Sequence, residues 1–186
     1  MQAKPGPRER LLSATRELTY SQGAHVGLDA ILRAAQVARR SVYQHFGGKD
    51  RLVAEALDTT ETLTRLRAVM AAAGDDPAAR VLAAFDDLRT MTADPSFRGC
   101  RYTAAELALP AADHPVHVVV RDYKRELHEV FETELTRLGH PDAVLGATQL
   151  VVLIDGVLAL AVTRPASDPA LAARPLAEMI VAGTAR

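Results

Sequence analysis

The only run in this chain with the residue types of a β-strand is Val116-His117-Val118-Val119-Val120, and it does not stay in a strand's period. Val116, Val119, Val120, Tyr123, Leu127, Val130 and Phe131 carry its apolar residues onward at helical spacing, the pattern of a helix with one buried face. With that run read as helix, no credible strand remains, and the core must be built from helices alone. Composition agrees: 48% of the 186 residues are hydrophobic but only 4% aromatic, and the apolar residues are mostly Ala, Leu and Val. Ala and Leu are strong helix formers. An all-α fold is expected.

Glycine, proline and short polar clusters place the boundaries. A first helix over 8–22 has Pro7 in its first turn, Leu11, Leu12, Thr15, Leu18 and Thr19 on one face, and Gly23 as its stop. Two short helices, 28–35 and 39–46, flank a break at Gln36-Val37-Ala38, and Gly47-Gly48 ends the second. Helices this short are marginal in water and must pack on one another, so the first three form a unit. From Lys49 one long helix is expected to reach about Ala73, joined to that unit without a flexible linker and ended by Gly74-Asp75-Asp76-Pro77. Further helices are read at 77–93, 102–109, 116–138, 142–163 and 169–182, about nine in all. The organisation expected is a small three-helix domain at 1–48 and a larger helical domain at 49–186.

The helix at 142–163 is apolar nearly all round between Leu150 and Val162 and needs cover on several sides. With 169–182 it is read as a homodimer interface, two helices from each subunit forming a four-helix bundle; the alternative is an ordinary intrachain core. The apolar run is too short for a bilayer and holds Asp155 in its middle, so no membrane partner is expected. Arg8-Glu9-Arg10 precedes any apolar run, which argues against a signal peptide, and a single cysteine, Cys100, excludes a disulfide framework and fits a reducing compartment. A cytoplasmic location is the expectation.

Net charge is only -1, but it is segregated. Up to Arg51, nine Lys and Arg face four Asp and Glu, a balance of +5 that leaves -6 for the remainder. A basic N-terminal module supplies a phosphate-seeking field, while an acidic body keeps off the polyanion.

Inside that module, Ala34-Ala35-Gln36-Val37-Ala38-Arg39-Arg40-Ser41-Val42-Tyr43-Gln44-His45-Phe46-Gly47-Gly48-Lys49-Asp50-Arg51-Leu52 resembles the helix-turn-helix of the TetR family of transcriptional regulators. The Tyr43-x-His45-Phe46-x-x-Lys49 core carries the resemblance, and Ile31, Ala35, Val37, Val42, Asp50 and Leu52 fall in place around it. The resemblance implies a non-enzymatic homodimer that binds near-palindromic double-stranded operator DNA, usually as a repressor, and is released by a small-molecule effector held in the C-terminal domain. Three positions depart from the family pattern. Gln36 stands where the turn glycine is usual, Ala38 where Ser is common, and Gly27-Leu28 where Ser or Thr often caps the second helix and touches phosphate.

The same residues make sense as a groove reader. Val42 and Phe46 lie four apart and pack inward, which orients the opposite face. Arg39, Arg40 and Ser41 open the recognition helix, whose N-terminal residues meet base edges in the major groove; the alternative for the arginines is a solvated charged face. Tyr43 and Gln44, one turn on, reach phosphate or a thymine methyl. Lys49 seats on backbone phosphate. His45 is either a backbone contact or a structural hydrogen-bonding group.

The rest of the chain is less specific. Gly99-Cys100-x-Tyr102-x-x-Ala105-Glu106, Asp113-His114-Pro115-Val116 and Leu153-Ile154-Asp155-Gly156 resemble one branch of the family. Phe85, Leu88, Met91, Phe97, Tyr102, Tyr123 and Phe131 are either the wall of an effector pocket or plain core, and they imply a small, largely apolar effector. Asp155, in an apolar helix, needs a structural partner across the bundle or a ligand. Cys100 is either a packed small hydrophobe or a thiol sensor. His114, His117 and His128 raise the question of a metal, but no carboxylate stands at matching spacing, and neither metal nor cofactor is expected. Two rival readings are a helical-bundle enzyme using His114, His117 and Asp155 or Glu106, and a protein-binding helical module with a degenerate reader. No nucleophile elbow, phosphate loop or metal motif supports the first.

Overall fold

The structure, a computed structural model, describes residues 5–183, and every regular element among them is helical. The helices are α1 (Pro7–Gln22), α2 (Leu28–Ala35), α3 (Arg39–Phe46), α4 (Lys49–Ala56), α5 (Thr60–Ala72), α6 (Pro77–Thr92), α7 (Arg101–Ala108), α8 (Val116–Leu138), α9 (Ala143–Thr163) and α10 (Pro169–Val181), with a 3-10 turn at Pro165–Ser167. The all-α expectation holds. The Val116–Val120 run opens the longest helix, and most boundaries fall where glycine, proline or a polar cluster placed them.

One element is different. The long helix expected over 49–73 is two helices, α4 and α5, parted at Leu57-Asp58-Thr59. The Leu57 amide is shared between the carbonyls of Val53 and Ala54, both at 3.2 Å, which tightens the last turn of α4. Asp58, Thr59 and Thr60 then follow, side chains that bond to nearby backbone and favour helix starts over helix interiors.

The chain packs as two compact units. The first joins the residues up to Thr59 with Arg101–Asp122. In it α1 buries Leu11, Leu12 and Ala14 against Ile31 and Ala35 of α2, Val42 and Phe46 of α3, and Leu52 and Ala56 of α4. Thr15 is fully buried beside them, and its hydroxyl donates to the Leu11 carbonyl at 2.7 Å, so the core holds no orphaned polar group there. On α7, the Arg101 guanidinium lies 4.9 Å from the centroid of the Tyr20 ring on α1.

The second unit comprises Thr60–Cys100 and the chain from Tyr123 onward. Leu63, Met70, Val81, Phe85, Phe131, Leu135 and Leu150 are almost wholly buried within it. Gly146 lets α9 approach α8 closely, since a Cβ there would stand 2.8 Å from Leu135 Cδ1. The buried Glu134 carboxylate is held on both oxygens, by Arg80 at 2.8 Å and Arg137 at 2.5 Å. Both arginines also donate to carbonyls of the α5–α6 turn, Gly74 and Asp75. A buried carboxylate left without such partners would be strongly destabilising.

α9 is 21 residues long, with a mean hydropathy of 2.1 over its most apolar window, enough by length and composition alone to cross a membrane. It packs instead against α10 and α6 and carries Asp155, paired with Lys124 of α8. Its cover is one-sided. Leu150, Ile154 and Val157 are buried, while Val144, Leu145, Val152, Leu160 and Val162 are exposed, as are Leu171, Leu176 and Met179 on α10.

Candidate nucleic-acid interface

The turn between α2 and α3 depends on one backbone conformation. Gln36 takes the left-handed region at φ 54 and ψ 48, which explains why glycine suits this position and why Gln36 stands out in the sequence. Its amide donates to Arg33 O at 3.3 Å and the Val37 amide to Leu32 O at 3.3 Å. The same chain end is clamped from α1, where Arg10 Nη1 donates to the carbonyls of Ala35 (3.2 Å) and Gln36 (3.1 Å). Ala38 opens α3 in extended conformation without a side-chain cap, as its missing hydroxyl requires.

α3 is fixed by Val42 and Phe46, both buried, with the Arg8 guanidinium 5.4 Å from the Phe46 centroid and itself bonded to Glu55 of α4 at 2.6 Å. Helical geometry turns the opposite face outward, and there Arg40 and Gln44 are exposed, flanked by Arg39, Tyr43 and His45; Ser41 is half-buried. Tyr43 is 56% exposed, a large aromatic left off the core. Lys49 opens α4 directly after Gly48 and is half-buried. Among the described residues neither Arg40 nor Lys49 meets a carboxylate. Arg39 does: its Nη2 lies 2.5 Å from Asp29 Oδ1 in the first turn of α2. His45 rests edge-on to Phe46, with ring centroids 6.2 Å apart, and forms no hydrogen bond among the described residues.

The sequence count of cations therefore divides by role. Arg8 and Arg16 are held by Glu55 and Asp58, and Arg10 by carbonyls, so these brace the unit. Arg39 is paired with Asp29, whereas Arg33, Arg40, Lys49 and Arg51 meet no carboxylate among the described residues; Lys4 lies outside them. Sequence reasoning missed the braces because their partners lie 25 to 47 residues away.

The residues read as acid-base candidates are spoken for. His117 places Nδ1 2.8 Å from Glu106 Oε2 and Nε2 3.0 Å from the Ala111 carbonyl. Its pKa is raised above 6.5, chiefly by the Glu106 carboxylate beside it. Its two nitrogens thus face groups of this chain, a carboxylate and a carbonyl, rather than open space. His114 Nδ1 accepts from the Val116 amide at 3.2 Å, and its Nε2 faces Asp50 at 3.5 Å. His128 bonds to Thr148 at 3.1 Å. No three His, Cys, Asp or Glu side chains gather as a metal site among the described residues.

Of the residues read as an effector wall, Phe85, Leu88, Tyr123 and Phe131 are buried in the second unit, and Met91 and Phe97 are half-buried there. Tyr102 belongs to the first unit, buried, with its hydroxyl donating to the Asp58 carbonyl at 3.4 Å. Asp155 accepts from Lys124 Nζ on both oxygens, at 2.5 and 2.6 Å. An open cleft of about 440 Å³ in the second unit is lined by other residues, among them Leu82, Leu138, Pro141, Glu178 and Val181. Cys100 is half-buried with a free thiol.

Residues 11–56 match the family model described as bacterial regulatory proteins, tetR family. The fold is shared with a TetR-type transcriptional regulator from Streptomyces avermitilis, 34% identical over 97% of this chain and 98% of that one, with a TM-score of 0.84. A TetR-family transcriptional regulator from Streptomyces coelicolor aligns with the same TM-score, 0.84, at 29% identity over 97% and 96% of the two chains. The TetR-family regulator CifR, in a structure with 26-bp double-stranded operator DNA, shares the fold with a TM-score of 0.75 at 21% identity over 94% of each chain. No curated protein matches.

Proposed function

Because this chain belongs to the TetR family of bacterial regulatory proteins, and is a transcriptional regulator with a DNA-binding helix-turn-helix rather than an enzyme, we propose that it is a repressor released by a small molecule. In this reading, 1–48 reads DNA while 49–186 holds the effector and dimerises. The homodimer forms through 142–163 and 169–182 and places two recognition helices in successive major grooves of a near-palindromic operator, about one helical turn apart. It works in the cytoplasm.

One observation carries the DNA reading. With Val42 and Phe46 locked in the core, α3 turns Arg40, Tyr43 and Gln44 outward together, and among the described residues no acid neutralises Arg40 or Lys49. Arg40 is assigned to a base edge, Tyr43 and Gln44 to phosphate or a thymine methyl, and Lys49 and His45 to phosphate. CifR, which shares the fold and was solved with operator DNA, supports DNA as the partner. The exposed apolar faces of α9 and α10 support self-association, since such faces are costly in water. The effector is small and largely apolar, its wall drawn from Phe85, Leu88, Met91, Phe97, Tyr123 and Phe131. It releases DNA by binding more tightly to the dimer conformation that cannot meet both half-sites at once.

The test is selection from a random duplex pool, followed by salt titration of wild type, Arg40→Ala and Tyr43→Ala. The expected result is a near-palindromic consensus, a steep fall of affinity with salt, and loss of specificity in both variants. Enrichment of no sequence at low salt would end the DNA reading.

A further inference from the structure

The two arginines that open α3 differ in one respect. Arg40 meets no acid among the described residues, whereas Arg39 is tethered to Asp29 at 2.5 Å, across the turn from one helix start to the next. The first turn of α3 holds no acid and its cap no side-chain bond, so two cations sit at the positive end of a helix dipole. The nearest compensation comes from Asp29, itself favoured at the start of α2. This ion pair is open to water, 53% exposed at the arginine and 77% at the aspartate, so it adds little to stability. Its effect is on where one guanidinium can go.

A free guanidinium beside a polyanion takes the nearest phosphate, a contact without sequence information. A guanidinium held through one amino group keeps its remaining N–H donors in a fixed plane, the geometry that matches guanine O6 and N7. The carboxylate also repels any phosphate that would compete for the arginine, which penalises wrong registers. We propose that Asp29 is a positioning residue for operator specificity: by holding Arg39 it converts a phosphate-seeking cation into a directed one. This rests on α3 being the recognition helix and names a determinant outside it.

The experiment compares wild type, Asp29→Asn, Asp29→Glu, Arg39→Ala and the Asp29→Asn/Arg39→Ala double variant on the selected operator and on a scrambled duplex, across a salt series. Asp29→Asn is expected to bind scrambled duplex more tightly, steepen the salt exponent by about one, and lower the operator-to-scrambled ratio by roughly tenfold. Asp29→Glu keeps the charge and should recover most of the ratio. The double variant should match Arg39→Ala, because Asp29 acts through Arg39. Melting temperatures should stay together, since both side chains are exposed. An unchanged exponent and ratio in Asp29→Asn, or an equal loss of ratio in the Arg39→Ala background, overturns the inference while leaving the operator reading intact. If wild type itself enriches no sequence, the reading of α3 falls first and this inference falls with it.

Discussion

α3 and α9 each keep a row of side chains out of the core, and the rows are opposite in kind. On α3 the row is Arg39, Arg40, Tyr43 and Gln44; on α9 it is Val144, Leu145, Val152, Leu160 and Val162. A charged row is at ease in water and gains by meeting opposite charge, so its association weakens as salt rises. An apolar row gains by leaving water, and that gain is indifferent to moderate salt. Two associations of one chain should therefore separate on a salt axis, DNA binding falling steeply and self-association holding.

The strongest way to break this contrast is to put a charge in the apolar row. Val152 is 65% exposed, so Val152→Asp should leave the fold intact. In a two-fold interface every loss counts twice, and burying one such side chain contributes about 1.5–3 kcal/mol, so dimer affinity should fall by roughly a hundred- to ten-thousand-fold. Sedimentation equilibrium reads the result directly. An unchanged mass for both Val152→Asp and Leu160→Asp would remove α9 from the interface. The corresponding change in the polar row is smaller: Arg40→Ala should cost about 1–3 kcal/mol on operator DNA and leave the dimer mass unchanged. A variant that moved both readouts would mean the two rows are not independent.

Much of the reader was legible in sequence, and the reasons are local. Val42, Phe46 and the outward row follow from helical spacing, and the Tyr43-x-His45-Phe46-x-x-Lys49 core fixes which helix they belong to. The α4–α5 break was not legible, because the apolar period runs through Leu57 and no glycine or proline marks the site. Arg8, Arg10 and Arg16 look like phosphate ligands in a charge count and become braces only when α4 and the α2 terminus fold against α1. In the body, the burial of Phe85 and Phe131 was legible, whereas a pocket was not, since an apolar side chain has the same signature lining a cavity or filling a core. Nor could sequence tell that Tyr102 packs in the other unit from Phe85.

Two departures in the reader's turn give smaller effects and test whether the turn serves fold or recognition. Gln36→Gly relieves a left-handed residue and should stabilise the protein by up to ~1 kcal/mol. Ala38→Ser supplies the missing cap of α3 and should add about 0.5–1 kcal/mol. Chemical denaturation measures both, and operator affinity should stay constant. A change in affinity at Ala38→Ser would place that hydroxyl on phosphate and extend the polar row by one residue.

The smallest effect separates the two units by pH. The buried acid of the body, Glu134, is held by two arginines, which stay charged across the range where proteins fold. The reader's unit instead contains His117 between Glu106 and the Ala111 carbonyl, with its pKa raised by the Glu106 carboxylate. A group whose folded-state pKa exceeds its unfolded value near 6.5 binds its proton more tightly in the native state. Its stabilising contribution is therefore complete below that unfolded value and is lost as pH rises through the folded value. His114 and His128 stand beside Asp50 and Glu132 in every variant, so the comparison must be differential. Denaturation midpoints followed upward from about pH 6 should fall more in wild type than in His117→Gln, and Glu106→Gln should flatten the same portion of the curve. Parallel curves for wild type and His117→Gln would mean the ring is neutral beside Glu106, and the contrast between a proton-sensitive reader and an arginine-locked body would disappear.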